Sequence, residues 1–134
     1  MRLPVLRVSD AMTHGVVTCR PELPLRQVAV VMVRECVHAV VVFATGTASN
    51  AWGLVSDLDI VAAWRGHNFD ILTAHDASVV PRVTVHSDDT LGHASQLLAE
   101  TGMSHLAVVD PRSGMPVGLV TPLDVARTLV SDAD

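Results

Sequence analysis

Along this chain the apolar residues change their period in a fixed order, and the order occurs twice. Val16 to Cys19 is mostly β-branched and bounded by Gly15 and Pro21, which predicts a short strand. From Pro24, the apolar positions Leu25, Val28, Ala29, Met32, Val33 and Cys36 fall at helical spacing, with Arg26, Arg34 and Glu35 on other faces. Val37 to Phe43 is almost wholly apolar and β-branched, the pattern of a strand covered on both faces. Residues 45–50 read as a turn, Trp52 to Val55 as the partner strand, and Asp57 to Trp64 as a helix closed by Gly66. Ahead of all this, residues 1–8 suggest an extended lead-in, and Ser9 to Thr13 a helical turn capped by Ser9 or Asp10.

After residues 66–75, which carry no clear period and are read as a linker, the order resumes. Val83-Thr84 answers Val17-Thr18 as a strand. Thr90 to Thr101 reads as a helix with Leu91, Ala94, Leu97 and Leu98 inward, capped from Asp88-Asp89 and stopped by Gly102. Leu106 to Val109 and Val117 to Val120 form a strand pair around the turn Asp110 to Gly114, and Pro122 to Val130 is the last helix. Pro122 suits the first helical position, where its missing N–H costs nothing. The expected organisation is one repeat over residues 1–65, a linker over 66–75 and a second repeat over 76–134, joined in one globular module. A single repeat of about 60 residues has too little core to be comfortable alone, which implies two halves packed with pseudo-twofold symmetry.

The most informative repeat is a phrase: Gly53-Leu-Val-Ser-Asp-Leu-Asp59 and Gly118-Leu-Val-Thr-Pro-Leu-Asp124, in which Gly, hydroxyl residue and carboxylate each stand 65 positions from their counterparts. Ser/Thr-x-x-acid before an apolar run is also the signature of a capping box, with Ser56 and Thr121 as N-caps and Asp59 and Asp124 at the third helical position. The two readings are compatible, because a helix N-terminus presents backbone N–H groups to anions.

Composition narrows the function. Net charge is −5, and the nine basic residues are all Arg and scattered, without the basic patch a nucleic-acid binder would show. There is no Tyr, and only Phe43, Phe69, Trp52 and Trp64 could stack on bases. The longest apolar run, Ala39 to Ala44, is far short of the about 20 residues a membrane span needs. Two cysteines and no secretory leader pattern lead us to expect a cytoplasmic protein with reduced thiols. Of seven histidines only His38 has a close cysteine, in Cys36-x-His38, and no second pair stands at zinc spacing, so no metal site is expected. No nucleophile elbow, Walker loop or His-Glu-x-x-His is present, and no catalytic residue or required cofactor is assigned.

The ordered set Asp10-x-Met12-Thr13, Val16-Val17-Thr18, both Gly-h-h-Ser/Thr-x-x-Asp phrases and Val108-Val109-Asp110 through Gly114 resembles a tandem pair of CBS domains, a Bateman module, over residues 8–130. The resemblance implies an α/β fold of two pseudo-twofold-related CBS repeats, each a small, mainly three-stranded sheet with two helices. It further implies a regulatory module that senses AMP, ADP, ATP or S-adenosylmethionine in clefts between the repeats, with a homodimer and an unidentified protein effector as partners. The alternative is a structural dimerisation module whose clefts stay empty.

By the same resemblance each cleft is composite. Thr121 and Asp124 would face Thr13, Val17, Thr18, Val37 and His38; Ser56 and Asp59 would face Val83, Thr84, Met103 and Ser104. Asp59 and Asp124 would take the ribose hydroxyls, since a carboxylate accepts two charge-assisted hydrogen bonds, while the hydroxyls of Ser56 and Thr121 suit a phosphate. His38 either donates to that phosphate or is a strand-end histidine satisfied by a nearby carbonyl. Two departures make the clefts unequal: Cys36 stands where the family often has Gly, as at Gly102, and Ser78-Val79 stands where the first repeat has Met12-Thr13.

Overall fold

The turn-strand-helix-strand-strand-helix order is realised in both halves. The computed structural model describes residues 5–44 and 51–132; the start of the apolar lead-in and the 45–50 turn lie outside the described residues. In chain order the elements are α1 (Val8–Ala11), β1 (Thr13–His14), β2 (Thr18–Cys19), α2 (Leu25–Glu35), β3 (Ala39–Phe43), β4 (Trp52–Ser56) and α3 (Asp57–Arg65). They continue with α4 (Ala74–Ala77), β5 (Thr84–His86), α5 (Leu91–Thr101), β6 (Leu106–Val109), β7 (Pro116–Val120) and α6 (Pro122–Asp132). The fold is mixed α/β with two small sheets.

The chain forms two compact units, and they are not a simple cut in the middle. One comprises residues 17–81; the other joins residues up to Val16 to the chain from Arg82 onward. In the first, β3 runs parallel to β2 and antiparallel to β4, with Val41 opposite Leu54. Ala39, Val40, Val41 and Val42 are all buried, so the strand shows no alternation, as its unbroken apolar run predicts. Leu25, Val28 and Met32 on one stripe of α2 close over Val40, Val42 and Val55 in a single core.

The second unit repeats this topology. Its strand β6 runs parallel to β5 and antiparallel to β7, and Val85, Ala94, Leu98, Leu106, Val108 and Val120 form the core together with Val8 and Met12. Here a fourth strand is added, because β1 pairs antiparallel with β7, Thr13 opposite Leu119 and His14 opposite Gly118. Gly118 permits this approach: a Cβ there would run into the Thr13 carbonyl oxygen. The first unit carries the counterpart as a lone antiparallel bridge between Leu54 and Val79. The opening turn of each sequence repeat is thus exchanged into the sheet of the other.

Helix ends explain where local reading succeeds and fails. Gly102 ends α5 at φ 67°, the left-handed conformation that glycine adopts without cost, and Cys36 ends α2 in the same way at φ 55° with a side chain in place. The cap of α5 is Thr90, whose hydroxyl accepts from the His93 N–H at 3.1 Å, and not Asp88-Asp89; the Asp89 carboxylate instead accepts from the His86 N–H at 2.8 Å. Similarly, α1 starts after Arg7 rather than after Ser9 or Asp10, with Asp10 accepting from the Arg7 N–H at 2.7 Å. Within the aperiodic 66–75 stretch, Thr73 caps α4.

Candidate functional site

Each repeated phrase does form a capping box. In the first, Asp59 Oδ2 accepts from the N–H and hydroxyl of Ser56 at 2.8 and 3.0 Å, and the Asp59 N–H donates to Ser56 Oγ at 3.3 Å. In the second, Asp124 Oδ2 accepts from the Thr121 N–H at 2.9 Å, and the Asp124 N–H donates to Thr121 Oγ1 at 3.2 Å. The cap occupies one carboxylate oxygen in each case. Among the described residues the other takes no part in the cap, and around Asp124 its surroundings are defined: Oδ1 stands 3.5 Å from Nη1 of Arg127, a long ion-pair contact, while the residue as a whole is only 6% exposed.

Asp124 lies in the wall of a cleft of about 740 Å³ shared with Asp10, Met12, Thr13, Arg127 and Thr128. Two elements build it. Positions 124, 127, 128 and 131 share one face of α6 by helical spacing, and the exchanged α1–β1 segment supplies the opposite wall. The structure therefore brings together Thr13 and Asp124, two of the residues expected from the sequence, with Thr121 holding the cap beside them. The volume falls within the about 300–1,000 Å³ of small-molecule sites.

The other expected residues of this unit sit elsewhere. Val83 and Met103 pack against its core, Thr84 lies opposite Ala107, and Ser104 Oγ is 3.2 Å from His105 Nδ1. In the 17–81 unit, Val17 and Val37 pack against the core and Thr18 lies opposite Val41. His38, with its side chain 65% exposed, places Nδ1 3.0 Å from Oδ2 of Asp57, which requires the proton on Nδ1. Its local partner is a carboxylate rather than a carbonyl.

Sequence reasoning missed Asp10, Arg127, Thr128 and Ser131 as cleft residues. The signal was available for α6, because the last three follow Asp124 at i+3, i+4 and i+7, and their counterparts after Asp59 are Ala62, Ala63 and Gly66. Missed too was a group outside the Cys/His spacing: His86, Asp88 and Asp89, exposed to half-buried, bring candidate metal-ligand atoms within 4.8 Å of one another. Of the two thiols Cys36 is exposed, while burial, and secondarily Glu22, pushes the Cys19 thiol up.

The CBS-domain family model matches this chain twice, at residues 8–66 and 74–131. The chain belongs to the CBS-domain family.

Solved CBS structures share its fold. The CBS domain pair of protein MJ0100, in complex with 5′-methylthioadenosine and S-adenosyl-L-methionine, is 19% identical over 96% of this chain and 98% of that one, with a TM-score of 0.80. The CBS domain protein PAE2072 from Pyrobaculum aerophilum, complexed with AMP, is 22% identical over 96% and 98%, with a TM-score of 0.79. The hexameric CBS-CP12 protein from bloom-forming cyanobacteria is 22% identical over 91% and 70%, with a TM-score of 0.76. Comparison with curated proteins returns no match. Among the described residues no helix is long and apolar enough to cross a membrane.

Proposed function

We propose that this CBS pair is a regulatory binding module for an adenosine-containing ligand, with Asp124 as its ribose acceptor. One observation carries the reading: the cap uses only Oδ2 of Asp124, in a cleft that also contains Thr13. A buried carboxylate oxygen with a long contact to Arg127 gains two short charge-assisted hydrogen bonds when it meets vicinal hydroxyls. The AMP, methylthioadenosine and S-adenosylmethionine held by fold relatives agree with this ligand class. The role is sensing rather than catalysis. Adenine should be preferred to guanine, whose edge exchanges the donor and acceptor pattern.

Melting the protein with millimolar AMP, ATP and S-adenosylmethionine tests the proposal, since binding to the native state alone raises the midpoint. A shift with AMP and none with GMP is expected. No shift with any of the three would favour the structural dimerisation module instead.

Dimerisation is part of the proposal. Leu58 and Trp64 on α3, and Leu123 and Leu129 on α6, are exposed at equivalent places in the two repeats, an apolar pattern that a second copy of the chain would cover. The hexameric state of the CBS-CP12 protein, which shares this fold, supports assembly as part of the reading. Light scattering should give a mass of twice 14.2 kDa; a monomer at tens of micromolar would contradict it.

A further inference from the structure

We infer that the turn between β5 and α5 binds a divalent first-row transition-metal ion through His86, Asp88 and Asp89. Candidate ligand atoms of these three side chains lie within 4.8 Å of one another. Ligands of a tetrahedral ion with bonds of about 2.0–2.2 Å stand about 3.4 Å apart, so modest rotations of side chains that are exposed or half-buried bring the set to bonding distance. The backbone already positions one member: Asp89 Oδ2 accepts from the His86 N–H at 2.8 Å, which ties this carboxylate to the residue whose ring completes the set. One imidazole with two carboxylates suits Zn²⁺ and its first-row neighbours, whereas Mg²⁺ and Ca²⁺ take oxygen ligands. Water would fill the remaining positions.

The other repeat contains the same turn without this chemistry. Val8 and Ser9 donate their N–H groups to the carbonyls of Asp89 and Ser87 at 2.8 and 2.9 Å, and in the 17–81 unit Ala74 and His75 donate to Leu23 and Pro21, both at 2.8 Å, so the two turns hold their opening helices in one register. At the matching side-chain positions Arg20 stands for His86, Glu22 for Asp88 and Leu23 for Asp89. Arg20 Nε lies 3.8 Å from Glu22 Oε1, so that turn supplies its own cation. The turn at residues 86–89 has one acid more and an imidazole in place of the guanidinium. Arg7 does not replace the missing charge, since its Nη1 donates to the Asp88 carbonyl oxygen at 3.3 Å, and among the described residues neither carboxylate makes an ion pair. Position gives the ion a consequence. The carbonyls of Ser87, Asp88 and Asp89 hold residues 7–9, so an ion here fastens the segment that leads through α1 to β1.

Calorimetric titration of zinc chloride into the untagged, chelator-treated chain tests the assignment. Zn²⁺ should bind and raise the melting point, because it binds the native turn, and an equal concentration of Mg²⁺ should not displace it. His86→Ala is expected to weaken Zn²⁺ binding by more than about a hundredfold, beyond the about 10–100-fold that loss of an outer-shell partner costs. Asp88→Asn, which keeps the carbonyl that Arg7 contacts, should weaken it by at least about tenfold. Both side chains are exposed, and circular dichroism checks that the variants fold; should His86→Ala fail to do so, Asp88→Asn decides alone. Cys36→Ser removes the exposed thiol of the Cys36-x-His38 pair, the competing zinc ligand, and should bind as the wild type does. Zn²⁺ affinity that survives Asp88→Asn and His86→Ala, or that is lost in Cys36→Ser, would overturn the assignment. So would no binding by the wild type, and so would displacement by Mg²⁺, which would reduce the site to diffuse attraction by an acidic surface.

Discussion

Thr13 lies directly opposite Leu119 in an antiparallel pair, so a residue from the opening turn of the first repeat completes the sheet of the second and enters the cleft at Asp124. The pairing depends on Gly118. A methyl at that position meets the Thr13 carbonyl, which is backbone and cannot swing aside. We expect Gly118→Ala to lower unfolding stability by about 2–3 kcal/mol, at the upper end of overpacking costs, and to weaken ligand binding by displacing Thr13. Gly53→Ala, where the nearest atoms are Ser78 Cβ and the Val79 oxygen at 3.3 Å, should cost less. Urea unfolding of both variants checks the order; equal and small losses would mean that β1 is not held as described.

Cys36 carries a side chain through a left-handed helix end at φ 55°, where Gly102 serves the equivalent helix at φ 67°. Its thiol returns little, with Sγ 3.7 Å from the Val33 carbonyl oxygen. Cys36→Gly should therefore stabilise the protein by about 1 kcal/mol, the lower range of the left-handed penalty for an L-residue. The expected signature is a higher urea midpoint at unchanged slope. A destabilised variant would contradict it.

Asp76 gives a pH dependence with a definite sign. The Thr73 backbone N–H, and then the Thr73 hydroxyl, hold its carboxyl below the ordinary value of 3.8. A depressed value in the folded state means a contribution to stability that is present above 3.8 and is lost as pH falls through the folded value. The group is fully exposed, so the effect is small and salt-sensitive. The melting-point gap between wild type and Asp76→Asn should be present at neutral pH and close as pH falls below 3.8. A gap that stays constant into strong acid would show that the cap acts without its charge.

The long elements were legible because their periods are strong: α2, β3, α5 and β6 carry apolar residues that have one way to be buried. The caps of α1 and α5 were misassigned because several acceptors stood side by side, and tertiary neighbours chose among them. Asp89 closes the turn after β5, leaving Thr90 to the helix. The exchange of opening turns left no local trace, since β1 is two residues long and its partner lies in the other repeat. The polar wall of the cleft required α6 to be read as a face extending from Asp124. Comparing the repeats for what they share brings out the capping boxes; comparing them for what they do not share brings out Arg127.

We propose Asp124 as a ligand acceptor beyond its role as a cap. Both aspartates close capping boxes, so Asp124→Ala and Asp59→Ala should each cost about 1 kcal/mol of stability. Binding should separate them. Calorimetric titration of AMP into the two folded variants is the most direct measurement: Asp124→Ala is expected to weaken binding by about 1.5–3 kcal/mol, the value of a lost hydrogen bond to a charged group, and Asp59→Ala by less. Undiminished affinity in Asp124→Ala, with binding abolished in Asp59→Ala, would contradict the account.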